Sequence, residues 1–369
     1  MEFTRNEAKA WARQNYVGLE GTLMPSFTPD MARLDEEAIR RDVDYYVRHG
    51  MFSVLAAVES TAMTMAERCE FLRIACDEAR GRILVSAPTL LDTFEQDVEM
   101  LRYFAKVGGC HVLLGCPVQY RPETEQEVFE TMKAVSEATD LALDIYPAAR
   151  FDMSRFGKGT MSINVLKRLA EIDNVVGVKV GNLNPPNYFA HIHSAVGEQL
   201  LVQDPLDHAW AFCTGLGQQW AGAMGYDMWQ TQDDQRIVRM FNHFRAGLLD
   251  EAMKIYWEVE PVRSASWAVH ARLSSAGLYP FVLFKYQQWL VGGNGGMLRQ
   301  PIHRPLEGDL VLLRDALAAS GIKPHDGSIE EFFVGRAAYE RGARLPRGAA
   351  AVWGSSQPVQ EMRNVQAVH

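Results

Sequence analysis

Eight short apolar runs, spaced roughly 30 residues apart and alternating with amphipathic stretches, constrain this chain more than any other feature. The runs cover residues 18–24, 52–58, 83–87, 111–115, 141–146, 175–180 and 200–203, with a weaker one at 219–224. Between them, apolar residues recur at helical spacing: Leu34, Ile39, Val43 and Tyr46; then 66–79; then Phe94, Val98, Leu101 and Ala105; then Val128, Met132 and Val135; then 188–196 and 206–214. Strands alternating with helices favour a parallel sheet. Eight such units point to a closed (β/α)8 TIM barrel, because a doubly wound sheet usually has fewer.

The barrel accounts for residues 17–233, after a polar or helical lead-in at 1–16. From 234 to 325 the pattern turns helical, over 236–262, 269–276, 281–291 and 309–320, with Gly292-Gly293-Asn294-Gly295-Gly296 as a break. This reads as a C-terminal helical domain appended to the barrel. Residues 326–369 become rich in Gly, Arg and Ala and read as a tail.

A net charge of −9 argues against nucleic acid or an anionic membrane as partner, though not against an anionic small molecule held locally. Five scattered cysteines make no metal-binding spacing and suit reduced thiols. The charged N-terminus lacks the apolar core of a signal peptide, and no run approaches 18 apolar residues. The expectation is a cytoplasmic protein acting on a small molecule, with no cofactor and no metal.

Two strands carry chemistry. The run at 141–146 ends in Tyr146, and the run at 175–180 holds Lys179 near its end. A buried lysine is costly unless its charge is paired or its pKa has fallen, and a lysine of depressed pKa is a nucleophile toward carbonyls. A nearby phenol can move the protons that such chemistry requires. The plainer alternative is a lysine extending from a strand end to solvent, with the tyrosine closing the core. Barrel order weighs against that, because active sites lie at the C-terminal strand ends and these two side chains close neighbouring strands.

Several separated segments resemble the dihydrodipicolinate synthase / N-acetylneuraminate lyase family of class I aldolases and lyases. Asn174-Val175-Val176-Gly177-Val178-Lys179 is similar to its Schiff-base strand, and Ile145-Tyr146-Pro147 to its tyrosine relay. Met63-Thr64-Met65-Ala66-Glu67-Arg68, Cys116-Pro117-Val118-Gln119-Tyr120-Arg121-Pro122 and Arg299-Gln300-Pro301 follow in the family's order, so the resemblance runs from about Gly18 to Pro305. It implies an imine at Lys179, proton transfer by Tyr146 and a homotetramer. The reaction would be aldol cleavage or condensation of a 2-oxo acid or related ketone, with hydration or dehydration through the same imine as the alternative.

The departures from the family matter as well. Where the family has a Gly-Thr-Thr-Gly-Glu turn for a substrate carboxylate, this chain has Leu55-Ala56-Ala57-Val58-Glu59, with Ser60 and Thr61 just beyond. The aromatic pair after the fourth strand becomes Val118-Gln119, leaving Tyr120. A longer basic and aromatic segment after Tyr146 brings Arg150, Phe151, Arg155 and Phe156 to the barrel mouth. The expected substrate contacts are therefore Glu59, Ser60, Thr61, Tyr120, Arg150 and Arg155. The altered turn also allows a non-catalytic, regulatory or scaffold member of the family. His191 and His193 raise a metal-hydrolase reading, but i and i+2 residues on a helix point apart.

Overall fold

The computed structural model describes residues 2–59, 61–117, 120–147, 156, 161–180, 187–276, 278–299 and 302–345. Eight parallel strands form a nearly closed (β/α)8 barrel, followed by C-terminal helices. The strands are β1 Gly18–Leu23, β2 Ser53–Ala56, β3 Leu84–Pro88, β4 His111–Leu114, β5 Ala142–Ile145, β6 Val175–Lys179, β7 Leu201–Gln203 and β8 Trp220–Ala221. Their hydrogen-bonded order is β7-β6-β5-β4-β3-β2-β1-β8. Burial on both faces makes such strands nearly continuous apolar runs.

Around the barrel lie α1 Ala8–Asn15, α2 Glu36–Arg48, α3 Met65–Ala79, α4 Phe94–Val107, α5 Glu125–Glu137, α6 Ile163–Ala170, α7 Asn187–Val196 and α8 Trp210–Gly215. Most start on a side-chain cap. Asp35, Thr64, Thr93, Thr124 and Ser162 each accept a backbone N–H of the first turn. Each such cap is worth about 1 kcal/mol.

The β7–β8 seam is closed by side chains. Gln203 Nε2 donates to the Gly222 carbonyl at 2.8 Å while its Oε1 accepts the Gly222 N–H at 3.3 Å. Gln218 mirrors this one step away, accepting the Asp204 N–H and donating to the Asp204 carbonyl, both at 2.9 Å. Two buried amides thus stand in for ladder bonds that a two-residue β8 cannot supply.

The N-terminal lead-in plugs the other end of the barrel. Phe3, Ala8, Ala12 and Tyr16 pack against Ala142, Val176, Leu201 and Trp220. The Gln219 amide donates to the Tyr16 carbonyl at 2.7 Å.

Past the barrel come α9 Arg236–Arg245, α10 Leu249–Glu258, α11 Glu260–Ser275, α12 Phe281–Leu290, α13 Glu307–Ala319, α14 Ile329–Val334 and α15 Arg336–Glu340. The helix expected over 236–262 is three helices instead. Gly247 turns left-handed at φ +74°, and Pro261 opens α11 where its missing N–H costs nothing. The stretch 269–276 is the end of α11, not a helix of its own. All of α12 is buried, and its polar members are hydrogen-bonded there: Lys285 donates to the Ser26 hydroxyl at 2.8 Å and Gln288 to Asp227 at 2.9 Å. Within the stretch read as a tail, α14 and α15 pack on the body: Glu331 accepts from Trp289 Nε1 and from Arg336, each at 3.0 Å. Among the described residues, no helix is long and apolar enough to cross a membrane.

Candidate active site

Strand register brings the candidate pair together. Ile145 of β5 pairs with Val178 of β6, so the next residues, Tyr146 and Lys179, leave the barrel at the same level. The Lys179 nitrogen lies 5.1 Å from the centre of the Tyr146 ring. It donates to the Ala223 carbonyl, just past β8, at 3.3 Å. Leu55, Leu113, Ala223 and the half-buried Tyr146 form a small apolar cluster beside it.

Lys179 is only 4% exposed. Burial pulls its pKa down to about 8, against the opposing fields of Glu20, Asp144, Glu59 and Asp204. About a tenth is therefore free amine at pH 7, far more than for an ordinary lysine, and this is the form that attacks a carbonyl.

Beneath the lysine the barrel floor is polar. Glu20 of β1 accepts from Ser53 of β2 at 2.9 Å and from Ser86 of β3 at 2.7 Å, and His111 Nε2 of β4 stands 3.2 Å away. Burial pushes Glu20 up, but the bonds from His111, Ser86 and Ser53 prevail and hold it below the usual carboxylate range. Asp144 of β5, one inward position deeper than Tyr146, is 2% exposed and has no hydrogen-bond partner on either oxygen among the described residues. It fits because β6 carries Gly177 opposite: a Cβ there would lie 2.5 Å from Asp144 Oδ1. Sequence reading passed over this floor. Its one local signal is an acid inside an apolar run, two residues before Tyr146.

Of the other expected contacts, Glu59, Thr61 and Tyr120 lie among the described residues. Glu59 is buried near enough to act on Lys179. Thr61 is fully buried, with its hydroxyl donating to the Val58 carbonyl at 3.3 Å. Arg68 Nε donates to that same carbonyl at 3.2 Å, so the turn after β2 is pinned from within. The Tyr120 hydroxyl is taken up on α5, 2.8 Å from Thr131 Oγ1, and its ring packs edge-on against Phe94. Ser60, Arg150 and Arg155 lie outside the described residues, as does Phe151; Phe156 packs against the main core.

Arg299 ties the rim together. It pairs with Glu67 at 2.8 Å, donates to the Met31 carbonyl at 2.7 Å and stacks 4.3 Å over Phe27. His191 and His193 sit on α7, where His193 stacks on Phe189. Among the described residues, no group of three His, Cys, Asp or Glu side chains is placed to hold a metal ion.

Comparison with known proteins agrees with the architecture. The model of the dihydrodipicolinate synthetase family matches residues 16–275. The chain belongs to this family. A 4-hydroxy-tetrahydrodipicolinate synthase of Dechloromonas aromatica is 28% identical over 45% of this chain, and the match spans 57% of that relative's length. The same-named protein of Acidiphilium cryptum is 26% identical over 82% of this chain and 98% of its own. Among solved structures, dihydrodipicolinate synthase from Aquifex aeolicus superposes with a TM-score of 0.71 at 20% identity, covering 84% of this chain and all of that one. N-acetylneuraminate lyase from Fusobacterium nucleatum gives 0.66 at 17% identity, over 82% and 97%. At those identities the structures speak for the fold alone.

Proposed function

We propose that this protein is a class I aldolase or lyase that binds a 2-oxo acid or related ketone as an imine on Lys179, with Tyr146 relaying protons. The reading rests on a buried lysine of lowered pKa beside a phenol at adjacent strand ends. The amine attacks the ketone, the carbinolamine loses water, and the iminium accepts the electron pair released at the neighbouring carbon. Tyr146 supplies and removes protons at the oxygen that departs and at the carbon chain that is cleaved. Glu59, Ser60, Thr61, Tyr120, Arg150 and Arg155 are the proposed substrate contacts, and the protein works as a cytoplasmic homotetramer without a cofactor.

Carbon–carbon cleavage or condensation is the first reading, since an iminium flanked by a proton relay serves both directions. Hydration or dehydration uses the same intermediate. The test is borohydride reduction in the presence of pyruvate and, separately, acetone, read by intact and peptide mass. The expected result is one covalent adduct on the peptide containing Lys179, absent in Lys179→Ala. An adduct on another lysine, or none with any carbonyl compound tried, overturns the reading and favours a non-catalytic role. Light scattering tests the assembly.

A further inference from the structure

One hydrogen bond aims the Lys179 nitrogen, and the sheet ladder does not hold its acceptor. Among the described residues, Nζ donates only to the Ala223 carbonyl, at 3.3 Å. Ala223 lies past the end of β8, whose pairing with β1 covers just Trp220 and Ala221. The residue between, Gly222, is held by an amide side chain. It gives its N–H to Gln203 Oε1 at 3.3 Å and accepts Gln203 Nε2 on its carbonyl at 2.8 Å. No side chain at position 222 could anchor the backbone instead, because a Cβ there would lie 2.5 Å from Glu20 Oε2.

Gln203 is in turn fixed to the strand that carries the lysine. It is the register partner of Lys179 between β6 and β7, so the two side chains share a face of the sheet and enter the barrel side by side. Its own carbonyl accepts the Val180 N–H at 2.7 Å, and its side chain is fully buried. Ala223 also packs with Tyr146, Leu55 and Leu113, and the Tyr146 ring centre lies 5.1 Å from Nζ. The nitrogen therefore has two fixed neighbours, a carbonyl that takes its N–H and a phenol ring.

We propose that Gln203 is a positioning residue of the Lys179 reaction: by holding both backbone groups of Gly222 it fixes the Ala223 carbonyl, and that carbonyl sets the direction in which the lysine nitrogen meets a ketone. This rests on the imine reading. The free amine carries two hydrogens. As nitrogen adds to the ketone carbon, one of them leaves and the carbonyl oxygen becomes a hydroxyl. The carbinolamine C–O bond then breaks with a proton from Tyr146, water departs, and the nitrogen lone pair closes the C=N bond. The second hydrogen stays as the single N–H of the cationic iminium. With that N–H on the Ala223 oxygen, the plane of the C=N bond is set, and one of its two faces is turned to Tyr146. A backbone carbonyl suits this task because it accepts from amine and iminium alike and does not titrate. Its weakness is the two-residue β8, and the Gln203 amide makes that good.

The experiment reads direction, which loosened packing alone does not set. Borohydride adds hydride to one face of the iminium formed with pyruvate and makes the former ketone carbon a stereocentre. Acid hydrolysis and chiral chromatography with mass detection then give the ratio of the two epimers of carboxyethyl-lysine. Native protein is expected to give one epimer in about tenfold excess or more, and Gln203→Met, which fills similar space without the amide, to give the two within about threefold of each other. The trapping rate of that variant at saturating pyruvate should fall by about tenfold, with the half-saturating concentration changed less. Gln218→Met is the control. It removes the other amide of the same seam, which bonds Asp204 and not Gly222, and should keep the native epimer ratio. Formaldehyde with cyanoborohydride methylates any free amine, and the rate at the Lys179 peptide against pH checks that the lysine stays open in each variant. If Gln203→Met does not fold, Gln203→Asn, whose amide falls short of Gly222, carries the same expectation. Near-equal epimers from the native protein, an unchanged ratio in the folded Gln203 variant, or the same loss in Gln218→Met each overturn the proposal and leave the imine at Lys179 intact. No pyruvate adduct on native Lys179 overturns the imine reading, and this proposal with it.

Discussion

Tyr146 and Lys179 leave neighbouring strands at one level, with the lysine nitrogen 5.1 Å from the centre of the phenol ring. In the proposed mechanism the ring face steadies the cation and the hydroxyl moves protons. These two contributions separate experimentally. Tyr146→Phe keeps the ring, so the pH midpoint of Lys179 methylation should not move. Turnover should fall by about 10²–10⁴-fold, the usual contribution of a general acid–base group. A loss of less than about threefold would make the hydroxyl a bystander.

If Lys179 forms the imine as proposed, its lowered pKa sets the acid limb of the reaction. Only the free amine attacks, so the rate of imine formation should rise with pH and level off above about 8. Each pH unit below that midpoint should cost about tenfold. The sign for stability follows from the same shift. Between about 8 and the ordinary lysine value of 10.5 the unfolded chain binds the extra proton, so this group's contribution improves as pH rises through that window. Stopped-flow trapping across pH 6 to 10 tests the limb. A midpoint near 10 would mean a solvated lysine.

How much of this was legible beforehand depends on how local each determinant is. The alternation was plain because strands buried on both faces lose their polar positions, and Lys179 stood out for that reason. Asp144 broke the same rule, yet what gives it meaning is Glu20, Ser53, Ser86, His111 and Gly177, which come from five other strands. No local window contains that floor. The helix break at Gly247 was hidden because amphipathic spacing continues on both sides of it. Tyr120 reads as a substrate contact by its position after β4, and the bond of its hydroxyl to Thr131 on α5, eleven residues along the chain, has no local signal.

Of the two buried amides that close the β7–β8 seam, Gln203 is the one that bonds the backbone just past β8. Gln203→Ala would leave the buried N–H and C=O of Gly222 without the partners they now have. Two unmet backbone groups cost about 1–3 kcal/mol each, less whatever water can recover. Urea unfolding should therefore lose about 2–4 kcal/mol, and amide exchange at Gly222 should speed up before the rest of the sheet opens. Equal protection throughout β1 and β8 in the variant would mean that the seam closes by other means.

The last prediction concerns how a substrate carboxylate would be held. Leu55 and Ala56 at the end of β2 and Ala57 and Val58 after it are buried and offer no side-chain donor, and the Thr61 hydroxyl proton goes to the Val58 carbonyl. Glu20, Asp144, Glu59 and Asp204 already act on Lys179, so a further anion enters a field of acids. A compensating cation is needed, since an unpaired buried carboxylate costs several kcal/mol. Arg150 and Arg155, in the segment after Tyr146, are the arginines whose chain position suits that task, and a guanidinium holds a carboxylate through two bonds at once. For an extended or aromatic 2-oxo acid, Arg150→Ala or Arg155→Ala should raise KM by about tenfold or more, with kcat changed less. Thr61→Ala should change KM by less than about threefold. Steady-state kinetics with 2-oxo acids and matched neutral ketones decide it. If neutral ketones are preferred and neither arginine variant changes KM, the carboxylate is not part of the substrate, and the imine chemistry at Lys179 stands without it.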